Sequence, residues 1–255
     1  MRPRERISAA IVAARERGRP ALVAFLTGGF PTRAGFKRNL GAVAVACDVI
    51  EIGVPFTDPM ADGTTIQRAS HVALQDGVTL AWIIAELASL EIRHAAPIVL
   101  MSYLNPLLAY GLDRLPGDAA AAGVAGFIVP DLPYEESAEL GAALDREGLA
   151  LVQMVTPVTP ADRLGLLCRA AQGFVYAVTM TGTTGKSAVI PDDVLDYMDR
   201  VKRNSTVPVC AGFGIRTRDQ VTRFDGHVDG VVIGSALVET LERGEDPGAF
   251  LASLR

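Results

Sequence analysis

Apolar positions along the chain fall into short, nearly unbroken runs. Between the runs they recur every three or four residues. The runs are 21–27 (ALVAFLT), 48–54 (DVIEIGV), 96–103 (APIVLMSY), 125–130 (AGFIVP), 149–155 (LALVQMV), 173–179 (GFVYAVT), 207–213 (VPVCAGF) and 229–235 (DGVVIGS). A strand with one wet face alternates polar and apolar residues, whereas continuous apolar runs suit parallel strands covered on both faces. The stretches 64–74, 137–147, 192–203 and 218–224 carry helical spacing. Eight strand-then-helix units predict an α/β fold, a closed (β/α)8 TIM barrel. The competing architecture, a doubly wound open sheet, calls for G-x-G-x-x-G after its first strand. The turn there reads Gly28-Gly29-Phe30-Pro31. The amphipathic start, MRPRERISAAIVAARERGRP, predicts an extra N-terminal helix that covers the bottom of the barrel. No linker, repeat or low-complexity tract interrupts the pattern, so residues 1–255 read as a single barrel domain. The segment 55–94 is long and should hold a functional loop and more than one helix.

Composition narrows the function classes. The chain has 255 residues, 49% of them hydrophobic, with 24 Lys and Arg against 29 Asp and Glu, a net charge of −5. Nucleic-acid binders carry a basic stripe, and none is visible here, so no nucleic-acid partner is expected. No run approaches the roughly 18 apolar residues of a membrane span. The N-terminus lacks the apolar core and cleavage site of a secretory signal. A cytoplasmic protein with no membrane contact is expected. Cys47, Cys168 and Cys210 are dispersed, as are His71, His94 and His227. That spacing predicts buried, reduced thiols and no metal site, and no cofactor is expected.

Residues 181–187, TGTTGKS, look like a phosphate loop. A Walker A loop needs G-x-x-x-x-G-K-[ST], and its first glycine falls on Met180, where the tight turn has a steric cost. A different phosphate site is expected. In a barrel, chemistry sits at the C-terminal ends of strands, and phosphate binds to the loops after the last strands with a short helix N-terminus. Gly212-Phe213-Gly214, Gly234-Ser235 and, closing over them, Gly182 and Gly185 supply such loops.

Strand two contains a carboxylate. Alternation places Val49, Glu51 and Gly53 on one face. If that face is the interior, Glu51 is a desolvated acid whose raised pKa suits proton transfer. The alternative is a structural carboxylate tied to an arginine or hydroxyl. The following loop carries Asp58 and Asp62. Either can cap the next helix, and Asp62 is the better catalytic candidate, because two carboxylates in different environments can divide acid and base roles. A Schiff-base aldolase would need a lysine in the barrel. Lys37 and Lys202 fall in helical stretches, and Lys186 lies well past strand six.

The stretch EIGVPFTDPMADGTTIQRA resembles the signature of the tryptophan synthase α-subunit family. FLTGGFP, MSYLNPLLAYG, GFIVPDLPYEES and the GFGI and GSA turns extend the resemblance along the whole chain. It implies a (β/α)8 barrel that cleaves indole-3-glycerol phosphate into indole and glyceraldehyde 3-phosphate. The reaction is a retro-aldol cleavage without metal or Schiff base, in tryptophan biosynthesis. It implies Glu51 as the acid–base glutamate, Asp62 as the catalytic aspartate and Tyr176 as an active-site tyrosine. Gly185, Gly214, Gly234 and Ser235 match phosphate-binding positions. By the same resemblance, Phe25, Met101, Ile128 and Phe213 fall at positions that line the indole pocket, with Tyr103 nearby. Thr57, Asp58 and Thr184 belong to the lid loops after strands two and six. The resemblance also implies a tryptophan synthase β subunit as partner, in an α2β2 complex. The chain departs from the family pattern at Thr64, Pro130 and Thr183, in loops that close the site and face that partner. Two other readings therefore stand: a free-standing lyase releasing indole for secondary metabolism, and a non-catalytic barrel that only activates a β subunit. Intact Glu51 and Asp62 argue against the second.

Overall fold

The computed structural model describes residues 1–90, 96–179 and 190–255. Eight parallel strands run in sequence order around a closed barrel: β1 (Ala21–Thr27), β2 (Val49–Gly53), β3 (Ile98–Met101), β4 (Val124–Ile128), β5 (Ala150–Val155), β6 (Val175–Val178), β7 (Val209–Gly212) and β8 (Gly230–Ile233). Closure comes from β8 pairing with β1, with Ala21 opposite Gly230. Nearly every strand residue is buried, which is why the runs are apolar at successive positions.

Twelve α-helices surround the strands among the described residues. They are α1 (Pro3–Glu16), α2 (Phe36–Ala46), α3 (Thr64–Gln75), α4 (Leu80–Ala88), α5 (Leu104–Tyr110), α6 (Leu115–Ala121), α7 (Ala138–Arg146), α8 (Ala161–Ala170), α9 (Asp192–Asn204), α10 (Arg218–Arg223), α11 (Ser235–Glu242) and α12 (Pro247–Ser253). The predicted helices 64–74, 137–147, 192–203 and 218–224 correspond to α3, α7, α9 and α10. The segment after β2 holds a loop followed by α3 and α4, as its length suggested. None of the described helices is long and apolar enough to cross a membrane.

Several strands are shorter than their apolar runs, for local reasons. Ser102 and Tyr103 pass beyond β3, and Leu104 starts α5 with its N–H donating to Asp131 Oδ1 at 2.9 Å. Pro130 has no N–H to continue the ladder after β4. Gly234 and Ser235 leave β8 to open α11, with Leu237 N–H donating to the Gly234 carbonyl at 2.9 Å.

The first helix closes the bottom of the barrel. Ile7, Ile11 and Ala14 of α1 are fully buried. Arg4 N–H donates to the Gly148 carbonyl at 3.0 Å, and Ser8 Oγ donates to the Gly173 carbonyl at 2.6 Å. Both carbonyls lie just before β5 and β6, at their N-terminal ends. Beside this plug, Asp48 ties down the start of β1 and β2. It accepts from Leu22 N–H at 2.9 Å, from Arg19 at 2.7 and 2.8 Å, and from Arg17 at 3.1 Å, while Arg255 stands 3.6 Å away. The far end of the barrel remains for the site.

Candidate active site

Inward-facing residues at the C-terminal end of the barrel enclose a cavity. Phe25, Glu51, Met101, Tyr176 and Val232 line it from the strands. Asp62, Ile66, Phe213, Gly214, Ile215, Arg216, Gly234, Ser235 and Glu239 line it from the loops and helices beyond. Period-two alternation along β2 delivers Glu51 to this interior, beside Phe25 on β1 and Val99 on β3. Gly53, two residues on, has no Cβ because the Phe25 ring occupies that space.

Glu51 is 1% exposed, and its Oε2 has no hydrogen-bond partner among the described residues. Among the described residues no arginine or hydroxyl ties it down, as the structural alternative would require. Burial, with the charge of Asp62 adding to it, pushes its pKa up to about 8. A carboxyl that stays protonated at neutral pH can donate a proton.

Asp62 sits on the loop between β2 and α3. The loop is pinned on both sides of it: Asp62 N–H donates to the Pro59 carbonyl at 3.1 Å, and Gln67 Nε2 donates to the Asp62 carbonyl at 2.8 Å. Burial raises its pKa to about 6, against a hydrogen bond from Tyr103 that lowers it. The Tyr103 oxygen also accepts from Ala61 N–H at 2.9 Å, and its ring stacks on Phe56 with centroids 5.2 Å apart. Tyr103 therefore contacts the Asp62 loop through Ala61 and is not among the described residues that line the cavity. Ile128 is buried at the end of β4, paired in register with Met101, and likewise stays off the lining.

Tyr176 reaches the cavity from β6. Its ring fills the space a Cβ at Gly212 would take and meets Phe213 edge-on, with centroids 6.1 Å apart. Burial raises its pKa well above the ordinary tyrosine value, and the neighbouring Glu51 charge adds to this. The phenol is un-ionised at neutral pH.

After β7 the backbone turns left-handed at two successive residues, Phe213 (φ 79°) and Gly214 (φ 80°). Glycine adopts this freely, and a side-chain-bearing residue pays about 1–2 kcal/mol. Thr179 holds the turn, its Oγ1 donating to the Phe213 carbonyl at 2.6 Å and its N–H to the Gly212 carbonyl at 2.9 Å. The strained turn directs the Phe213 ring into the cavity. Beside it, Gly234 and Ser235 begin α11, so N–H groups of a helix start, which have no intrahelical partner, lie on the rim with Gly214. That is an arrangement suited to an anion.

Thr57 and Asp58 lie on the β2–α3 loop, where the Thr57 hydroxyl donates to the Asp58 carboxylate. They do not line the cavity. Gly182, Thr184 and Gly185 lie outside the described residues. Sequence reasoning missed Thr65, Ile66, Arg216 and Glu239. They come from three separate segments, and a single side chain on a helix or loop carries no signal that it reaches a shared cavity. Lys37 pairs with Glu86 on α4, and Lys202 with Asp229, both away from the cavity. Among the described residues no group of His, Cys, Asp and Glu is arranged to hold a metal ion.

Residues 11–252 match the family model of the tryptophan synthase alpha chain. The tryptophan synthase alpha chain of Solidesulfovibrio magneticus is 46% identical over 239 residues, 93% of each chain. That of Geobacter sulfurreducens is 41% identical over 257 residues, covering 98% of this chain and 97% of its own. Among solved structures, Mycobacterium tuberculosis tryptophan synthase aligns with a TM-score of 0.88 at 35% identity, over 97% of this chain and 96% of that one. Tryptophan synthase subunit alpha from Legionella pneumophila aligns with a TM-score of 0.88 at 29% identity, over 98% and 96%.

Proposed function

Because the chain belongs to the tryptophan synthase alpha chain family, a lyase that cleaves indole-3-glycerol phosphate in tryptophan biosynthesis, we propose that Glu51 and Asp62 carry the proton transfers of that cleavage. The observation behind this assignment is the pair itself. Two buried carboxyls face one cavity with pKa values near 8 and 6. Environments that push two such groups apart separate an acid from a base.

Protonated Glu51 gives its proton to C3 of the indole. The indole N–H becomes acidic, and ionised Asp62 accepts that proton, leaving a neutral indolenine. Glu51, now a carboxylate, takes the proton of the glycerol hydroxyl next to the ring. As that oxygen becomes a carbonyl, the carbon–carbon bond breaks and its electron pair returns to the ring. Asp62 then returns its proton to nitrogen. Indole and glyceraldehyde 3-phosphate result, and no metal or lysine adduct enters a step.

Tyr176, Phe25, Met101 and Phe213 pack the indole ring, with Ile128 behind them. Tyr103 holds Asp62 in place. Gly214, Gly234 and Ser235 bind the phosphate, joined by Gly185. Thr57, Asp58 and Thr184 belong to loops that cover bound substrate. The whole chain acts as one barrel domain in the cytoplasm, with a tryptophan synthase β subunit as its partner in an α2β2 complex. The test is indole release from indole-3-glycerol phosphate by the purified chain, alone and with a β subunit. Slow release that accelerates with β supports the assignment. Fast release unaffected by β would overturn the partnership, and no release in either case would overturn the catalytic assignment.

A further inference from the structure

Among the described residues, four charged side chains line the cavity: Glu51, Asp62, Glu239 and Arg216. Arg216 is the one cation among the described lining residues. It follows Gly214 by two positions. Its N–H donates to Gln220 Oε1 at 2.7 Å, which seats the loop on the start of α10. Its guanidinium forms an ion pair with Glu239 through Nη2, and Nη1 lies 3.4 Å from the second carboxylate oxygen. Glu239 is one turn beyond Ser235 on α11, and Thr65 Oγ1 donates to it at 3.2 Å. The hydrogen bond from Arg216 holds the Glu239 carboxyl below the usual range, so it is ionised at neutral pH.

This creates an electrostatic problem for a phosphate on Gly214, Gly234 and Ser235. A dianion there shares the cavity lining with a full negative charge on Glu239. A helix N-terminus offers only about half an elementary charge, too little to offset both. A guanidinium has five N–H donors in a planar fork. Glu239 engages two nitrogens and leaves further donors for a second anion.

We propose that Arg216 is a substrate-binding residue. Held by Glu239, it pairs with the substrate phosphate while still neutralising Glu239, and it sets the preference for phosphorylated over unphosphorylated indole compounds. The proposal rests on the phosphate seat assigned above.

The experiment compares wild type, Arg216→Ala, Arg216→Lys and Glu239→Gln. It measures KM and kcat for indole-3-glycerol phosphate, and the inhibition constants of glycerol 3-phosphate and of indole. A charge-assisted hydrogen bond lost from a phosphate raises KM and the glycerol 3-phosphate constant roughly 10- to 100-fold in Arg216→Ala, with kcat and indole inhibition little changed. Arg216→Lys recovers part of the loss. Glu239→Gln leaves KM unchanged or lowers it, because a repulsive charge has gone. Unchanged constants in Arg216→Ala overturn the proposal. Equal losses in Arg216→Ala and Glu239→Gln also overturn it, since they mark the pair as a structural clasp. A wild-type chain that does not cleave the substrate counts against the catalytic assignment instead. Calorimetric binding of glycerol 3-phosphate to wild type and Arg216→Ala then still decides the role of Arg216.

Discussion

Glu51 and Asp62 share one cavity, and the charge of Asp62 raises the proton affinity of Glu51 above what burial alone imposes. The two carboxyls therefore titrate in separate ranges, and the proposed chemistry needs Asp62 ionised while Glu51 is still protonated. Activity should occupy the window between about 6 and about 8. The predicted kcat/KM profile is a bell, rising through the lower value and falling beyond the upper. The substrate phosphate also titrates near 6, so the acidic limb needs an assignment. Tyr103→Phe removes a hydrogen bond that lowers the Asp62 pKa, and it should move that limb upward. A limb that stays put belongs to the phosphate.

Glu51→Gln should lower kcat by roughly 10²–10⁴-fold while substrate binding persists. Asp62→Asn should be nearly as severe. Single-turnover kinetics with bound substrate check both, and turnover close to wild type in either variant removes that residue from the mechanism.

The raised pKa of Glu51 also bears on stability. Between its ordinary value of 4.5 and about 8, the folded chain holds a proton that the unfolded chain has released. Stability from this group is thus fully present below the lower value and is lost as pH rises through the upper one. Glu51→Gln lacks this term, so its melting temperature should gain on wild type as pH increases across that interval. Parallel melting curves for the two proteins would contradict the buried, proton-holding carboxyl.

Gly212→Ala should damage the site with the barrel still folded. The new methyl overlaps the Tyr176 ring, and overpacking of this kind typically costs about 1–3 kcal/mol. Kinetics and thermal melting together read the outcome: a clear fall in kcat/KM with a cooperative transition retained. Full activity would show that the Tyr176 position matters little.

Asp48→Ala tests the other end of the barrel. It strips Arg17, Arg19 and Arg255 of their common anion and Leu22 N–H of its acceptor. The loss should be about 3 kcal/mol in denaturant unfolding, with catalytic constants close to wild type at moderate temperature. Burial raises the Asp48 pKa, but the Arg19 and Leu22 hydrogen bonds outweigh it and leave the pKa below 3.8. The stabilisation therefore persists above that value and fades as pH falls through the depressed one.

The barrel was legible because its strands are wrapped on both faces, so each prints a run that polar helices cannot imitate. Strand ends were overestimated where hydrophobic residues continue past the sheet, as at Tyr103, or where a strand hands directly to a helix, as at Ser235. Glu51 stood out because a carboxylate inside an apolar run needs a reason. The alignment of Arg216, Glu239 and Thr65 was not legible. They are separated by up to 174 positions, and each alone reads as a solvated surface residue. Tyr103 appeared as a pocket aromatic, and only its hydroxyl contacts reveal a brace behind Asp62.

The plug formed by α1 leaves the C-terminal end as the end of the barrel that carries the cavity. Ile7 and Ile11 are buried in the barrel floor, at the end opposite the cavity. With the phosphate seat proposed at the rim, glyceraldehyde 3-phosphate would stand nearer the C-terminal end than indole. Under that proposal, the order in which the products depart becomes a matter of queueing at the same end of the barrel.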